Sequence, residues 1–171
     1  MGYIYADNAA TTKMSRHAAE VMLGVIENNY ANPSSLHTPG QLAAVQLTES
    51  RQTIAKILNC EPREIIFTGG GSEADNQALL SAAAIGQRKG KKHIISTKFE
   101  HHAVLHTLKK LEKQGFEVTY LDVYENGIVR PEDVKAAIRP DTVLVSVMYA
   151  NNEIGTIQPI RSIGAICREQ G

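Results

Sequence analysis

Two observations make the sequence predict an α/β layered domain with a mainly parallel sheet. From residue 64 onward, short segments rich in Ile, Val and aromatics alternate with helical stretches. Such alternation implies βαβ units, and therefore parallel strand neighbours joined by crossover helices. The composition agrees: 171 residues, 43% hydrophobic and 21% charged, are enough chain for a buried core and too apolar for disorder.

Each element has its own local reason. Ser15 is placed to N-cap a helix whose stripe is Ala18, Ala19, Met22, Leu23 and Ile26. The turn formers of residues 28–35, with Asn32-Pro33-Ser34-Ser35 at their end, predict a loop. Thr38, Pro39 and Gln41 read as N-cap, N1 and N3 of a second helix, which should run to about Asn59 and bury Leu42, Val45, Ile54, Ile57 and Leu58. Strands are expected over 64–68, 93–97, 116–121 and 142–148. Helices are expected over 73–86, 102–113, 131–138 and 161–169, with Gly115 stopping the second and Pro131-Glu132-Asp133 opening the third.

Charge and targeting signals narrow the function. Eighteen basic residues balance eighteen acidic ones, so no basic excess points to nucleic acid or a membrane surface. No run of about 18 apolar residues is present. The amino terminus lacks the basic and apolar regions of a secretory signal, and Ala6 stands where myristoylation after Gly2 wants Ser or Thr. Cys60 and Cys167 match no metal or redox spacing and read as buried, inert thiols. A cytoplasmic protein is the expectation.

In a parallel sheet, ligands bind outside the carboxyl ends of the strands, which singles out three loops. The first, Thr68-Gly69-Gly70-Gly71-Ser72-Glu73, lets backbone approach a ligand closely and aims the amides of a helix N-terminus at it, a phosphate cradle in which Ser72 caps the helix or donates to the phosphate. Gly69, Gly71 and Ala74 also satisfy a dinucleotide fingerprint, but Thr97-Lys98-Phe99 stands where an acidic ribose ligand would be needed. The second loop holds Glu100, His101 and His102. His102 and His106 have a metal-binding spacing without a third ligand nearby, and a helix-capping histidine is commoner. An imidazole at this strand end could equally lie on a planar cofactor ring and move protons near neutrality. The third loop, Tyr149-Ala150-Asn151-Asn152-Glu153, places amides where a ring oxygen or carboxylate could be bound, or where Asx turns could form.

Five segments, in this order and spacing, resemble the NifS-like cysteine desulfurases, class V members of the fold-type I pyridoxal-phosphate enzymes. They are Tyr5-Ala6-Asp7-Asn8-Ala9-Ala10-Thr11-Thr12, Asn32-Pro33-Ser34-Ser35-Leu36-His37, Phe67-Thr68-Gly69-Gly70-Gly71-Ser72-Glu73-Ala74-Asp75-Asn76, Glu100-His101-His102-Ala103-Val104-Leu105 and Asn151-Asn152-Glu153-Ile154-Gly155-Thr156. The resemblance implies a three-layer fold, with residues 1–14 belonging to a small domain and residues 15–171 forming the first part of the cofactor-binding large domain. It implies that Gly71 and Ser72 bind the phosphate of pyridoxal 5'-phosphate, that His101 stacks on its ring and shuttles protons, that Asn152 bonds its ring oxygen and helps place the substrate carboxylate, and that Asn32 lines the substrate side. No metal is implied.

The implied reaction takes sulfur from L-cysteine, giving alanine and an enzyme persulfide for a sulfur-acceptor protein such as an iron–sulfur scaffold. A related class V aminotransferase, a selenocysteine lyase or an inactive binding module are the alternatives. The family is homodimeric. Its cofactor-anchoring lysine and persulfide cysteine are expected in a C-terminal part following residue 171, since neither Lys98, Cys60 nor Cys167 has the matching motif, so this chain by itself is expected to be inactive.

Overall fold

In the computed structural model, which describes residues 2–170, the chain forms two compact units that meet in sequence at Phe67 and Thr68.

The first unit is helical. Helix α1 (Arg16–Asn28) starts where Ser15 Oγ accepts the Ala18 amide, as its sequence predicts. Helix α2 (Thr38–Leu58) starts one residue differently: His37, not Thr38, is the N-cap, and its Nδ1 accepts the Gly40 amide at 3.2 Å. An imidazole nitrogen can do the work of the expected hydroxyl, because capping needs only an acceptor aimed at an orphan N–H. Asn59, in the left-handed region at φ 54°, ends α2, and Lys56 lies in its last turn. The expected burial fails here. Leu42, Val45, Ile57 and Leu58 are exposed, as are Met22, Leu23 and Ile26 of α1. Their spacing is right for an apolar stripe, but no layer covers these stripes among the described residues. The positions that close up in α2 are the small ones, Gly40, Ala43 and Ala55.

The expected strand at 64–68 is also absent. Residues Pro62–Glu64 form a 3-10 turn, and the next residues run extended without a ladder partner. A strand needs a neighbour for its backbone groups, and Ile66 and Phe67 keep their side chains exposed. A short apolar run can suggest a strand but not the partner it would pair with.

The second unit is the α/β layer predicted. Its order is α3 (Gly71–Arg88), β1 (His93–Thr97), α4 (His102–Lys113), β2 (Glu117–Leu121), α5 (Pro131–Ala137), β3 (Thr142–Val145) and α6 (Ile160–Gln170). All pairings are parallel, in the order β2-β1-β3. Adjacent residues of a strand face opposite ways, and two cores follow. On one face Ile94, Tyr120 and Leu144 meet Leu79 and Ala83 of α3 and Val104, Leu108 and Leu111 of α4. On the other, Leu121 and Val145 meet Val134 of α5 and Ile163 of α6. The result is three layers. Val104, Leu108 and Leu111 recur at i, i+4, i+7, which puts them on one side of α4.

Gly86 fixes how close α3 lies. A Cβ there would sit 2.7 Å from both Lys91 O and Val143 Cγ2, so only glycine admits this approach. Strand β3 carries a register irregularity at this point: His93 pairs with Thr142 but Ile94 with Leu144, leaving Val143 over. β3 also forms one outer edge of the sheet among the described residues, β2 the other.

At the amino end of the sheet His93 is fully buried and ties all three strands, with Nδ1 2.7 Å from Thr142 Oγ1 and Nε2 2.8 Å from Thr119 Oγ1. Burial, helped by the Arg139 guanidinium, holds its pKa below the usual 6.5, against the opposing pull of Asp141 and Glu117. The unfolded chain therefore takes up this proton first as pH falls. His93's contribution to stability is complete above about pH 6.5 and declines below it. Urea unfolding at pH 7.5 and 5.5 tests this: the wild type loses more stability across that interval than His93→Gln, and equal losses would refute the assignment.

Candidate functional site

Strand order places the site. Strand β1 feeds α4 on one face and β3 feeds α6 on the other, so the chain diverges above the β1/β3 pair. A gap opens there at the carboxyl ends, the place where open parallel sheets bind ligands. Helix α3 points its amino end the same way. Gly86, near its carboxyl end, meets Val143 at the start of β3, while Asp75 and Ala78 near its amino end line a cleft of about 260 Å³ with Ser146 and Val147 at the far end of that strand.

The glycine loop fits an anion. Helix α3 begins at Gly71 with Gly70 as N-cap and no side-chain cap. Ser72 therefore does not cap the helix: it lies within the first turn and is exposed. The first intrahelical bond is donated by Ala74 to Gly70 O, at 3.1 Å, leaving the amides of residues 71–73 to outside acceptors. A Cβ built on Gly70 or Gly71 would meet nothing within 4 Å, so the backbone lies open. One amide is taken: Glu73 Oε2 accepts from Gly69 N at 2.7 Å. That contact holds the loop against the helix and draws the carboxylate back toward Gly69. Open amides, an exposed hydroxyl and the positive end of an 18-residue helix suit a phosphate.

His101 caps α4, its Nδ1 accepting the Ala103 amide at 3.1 Å, and its ring is exposed. The neutral ring thus carries its proton on Nε2, away from the cap. His102 and His106 lie with ring centroids 5.5 Å apart, but no group of three or more metal-binding side chains occurs among the described residues.

The two asparagines of the third loop divide the work. Asn151 is buried. Its Oδ1 accepts the Glu153 and Ile154 amides at 2.9 and 3.0 Å, and its Nδ2 donates to Phe99 O at 3.3 Å. Asn152 is exposed, with Nδ2 donating to Glu153 Oε1. The loop closes as a narrow hairpin, with Asn151 N on Thr156 O, Gln158 N on Tyr149 O and a bridge between Ala150 and Ile157. Buried Gln158 pegs it to the preceding turn, accepting from Val129 N and donating to Gly127 O.

Sequence reasoning left Glu100 without a role. The side chain is buried, and its Oε1 accepts from Thr97 Oγ1 at 2.9 Å and from Met148 N at 2.8 Å. Burial pushes its pKa above the usual carboxylate value, with nearby Asp75 adding to the effect and the two hydrogen bonds opposing it. A carboxylate beside a histidine pair reads as surface chemistry; the acceptor role depends on an amide 48 residues later.

The second unit thus gathers Gly71, Ser72, His101 and Asn152 at one end of its sheet. Asn32 belongs to the first unit, where it is exposed and its Oδ1 accepts the Ser34 amide in an Asx turn. Cys60 and Cys167 are half-buried rather than fully enclosed; burial raises the Cys167 thiol's pKa, which disfavours the nucleophilic thiolate. A separate groove of about 360 Å³, lined by residues including Arg139, Val143, Val145 and Cys167, follows the outer edge of β3 and touches none of the expected site residues.

The model of the aminotransferase class-V family matches residues 4–171. The chain belongs to that family. Among its class-V relatives, the cysteine desulfurase IscS of Clostridium botulinum is 51% identical over 167 residues, covering 98% of this chain and 42% of the relative. IscS of Neisseria meningitidis is 50% identical over 168 residues, covering 98% and 41%. The class-V chain therefore spans about two fifths of the relatives it matches. A solved NifS-like protein superposes with a TM-score of 0.91 at 38% identity, covering 96% of this chain and 45% of that one. SspA in complex with cysteine superposes with a TM-score of 0.89, again at 38% identity, covering 96% and 47%. The three-layer α/β fold is thus that of NifS-like enzymes, in part.

The two asparagines should separate by experiment. Asn151→Ala removes a buried network and is expected to cost about 1–3 kcal/mol, while Asn152→Ala stays within about 0.5 kcal/mol of wild type, as exposed substitutions do. Thermal unfolding of both variants reads the difference.

Proposed function

We propose that these residues form one wall of the active site of a pyridoxal-phosphate-dependent cysteine desulfurase, which takes sulfur from L-cysteine and leaves alanine. What supports the reading is an uncapped helix N-terminus at α3, with an exposed imidazole and an exposed amide on the loops that follow β1 and β3, in a chain half identical to IscS proteins.

Each residue has a task set by its chemistry. The amides from Gly71 onward and the Ser72 hydroxyl hold the cofactor phosphate, and the α3 dipole favours its charge. Bound there, pyridoxal phosphate supplies an electron sink for negative charge developing at the substrate Cα. His101 lies against the cofactor ring and, with Nδ1 committed to the Ala103 amide, holds its transferable proton at Nε2. The Asn152 amide donates to the ring oxygen and orients the substrate carboxylate. By the family resemblance alone, Asn32 would line the substrate side.

Further parts of the proposal rest on the family resemblance. Residues 1–14 contribute to a small domain and the rest to the large one. The lysine that anchors the cofactor and the cysteine that receives sulfur lie in a C-terminal part. A half-buried thiol with a raised pKa, such as Cys167, suits neither duty. The complete enzyme works as a cytoplasmic homodimer that hands sulfur to an acceptor such as an iron–sulfur scaffold. No helix among the described residues is long and apolar enough to cross a membrane.

The full-length protein, given pyridoxal phosphate and L-cysteine, is expected to release alanine and, with a reductant, sulfide. Ser72→Ala should weaken cofactor binding about tenfold or more, the value of one hydrogen bond to a charged group; titration by visible absorbance measures it. Sulfide production by residues 1–171 alone would overturn the assignment of lysine and cysteine to a later segment.

A further inference from the structure

The loops that follow β1 and β3 carry the two groups assigned to the reaction, His101 and Asn152, and they leave the sheet toward opposite faces. Nothing in a parallel pairing fixes such loops to each other, because ladder hydrogen bonds end where the strands end. Here a single carboxylate oxygen does so. Glu100 Oε1 accepts from Thr97 Oγ1 on its own loop and from Met148 N at the root of the other. The residue is 6% exposed and directly precedes His101. Four residues after Met148 comes Asn152. A second link runs in the same sense, from Asn151 Nδ2 to Phe99 O.

Both donors converge on the same oxygen, so the clamp is a matter of acceptor position. A glutamine oxygen can occupy that position; leucine cannot accept at all. Desolvation raises the carboxyl's pKa, which agrees with a group kept for geometry within the interior.

Resting on the functional reading above, we propose that Glu100 is a positioning residue that locks the His101 loop to the Asn152 loop, so that ring-stacking imidazole and ring-oxygen amide are set as one unit. Both acceptor bonds are needed for the register of the two loops. A displacement of about 1 Å of reacting groups costs on the order of 100-fold in rate, whereas cysteine binding, which uses other contacts as well, should change less.

The test uses the full-length protein with Glu100→Leu and Glu100→Gln, and reads kcat and KM for cysteine, thermal stability, and amide hydrogen exchange by mass spectrometry. In Glu100→Leu, exchange in peptides spanning 97–103 and 147–154 should rise tenfold or more without cofactor, and kcat should fall about 100-fold with KM within about threefold. Glu100→Gln should restore both to within about threefold. If Glu100→Leu does not fold, Thr97→Val, which deletes one donor, supplies the same comparison with a smaller loss. Unchanged exchange and kcat in the leucine or valine variant would overturn the inference. So would a kcat loss that merely follows the unfolded fraction, or a glutamine variant as impaired as leucine. His101→Gln and Asn152→Ala serve as controls: normal kinetics in both would overturn the functional reading and this inference with it, whereas impairment in both beside a normal Glu100→Leu overturns the inference alone.

Discussion

Strand β1 is buried along all five residues and on both faces, and the rest of the second unit is organised by the demands this makes. A central strand closed to water must pair its backbone on both edges, and a buried polar side chain on it gains by finding a partner. His93 meets the demand at the amino end through threonines on both flanking strands, and Thr97 meets it at the carboxyl end through Glu100. His93 is therefore a tie between strands and Thr97 a tie to the loop that follows, whereas the buried Ser96 hydroxyl has no hydrogen-bond partner among the described residues.

That arrangement explains why chemistry collects at one end. Opposite ends of the same strand carry opposite designs. Around His93 the charges are mutual: Arg139 bonds both Glu117 and Asp141, forming a self-satisfied surface cluster. Around the β1 and β3 exits the groups are left available: amides of the α3 N-terminus, an imidazole facing outward, an amide on a closed hairpin. The glycines at 70 and 71 keep the cradle open, while Gly86 lets α3 come close enough to aim it. Gly86 and the cradle are thus two halves of one placement, fifteen residues apart along a rigid helix.

The alternation of strands and helices after residue 90 was readable because periodicity and caps act locally, and each of those elements formed within a residue or a few of its expected bounds. The failures share a cause. The stretch 64–68 has strand-like composition but no ladder partner, and Leu42 or Ile26 has helical spacing but no covering layer. Pairing and coverage are properties of other segments. Within the site, the family resemblance singled out His101 and Asn152; residue types and loop positions identified only the cradle, the histidines and the asparagine pair. They could not distinguish Asn151 from Asn152, because the burial of one depends on Phe99, some fifty residues earlier. Glu100 was unreadable for the same reason, its second donor being a backbone amide, which every residue type carries.

The outer edge of β3 has a practical meaning for anyone handling this stretch of polypeptide. Beyond Val143 the strand presents N–H and C=O groups with no sheet neighbour among the described residues, next to half-exposed Leu144 and Val145 and a groove running alongside. Such an edge is a template on which another chain can add. Expressed in isolation, residues 1–171 would tend to self-associate into insoluble material, and a charged substitution on that rim would be the first remedy for recovering them in solution.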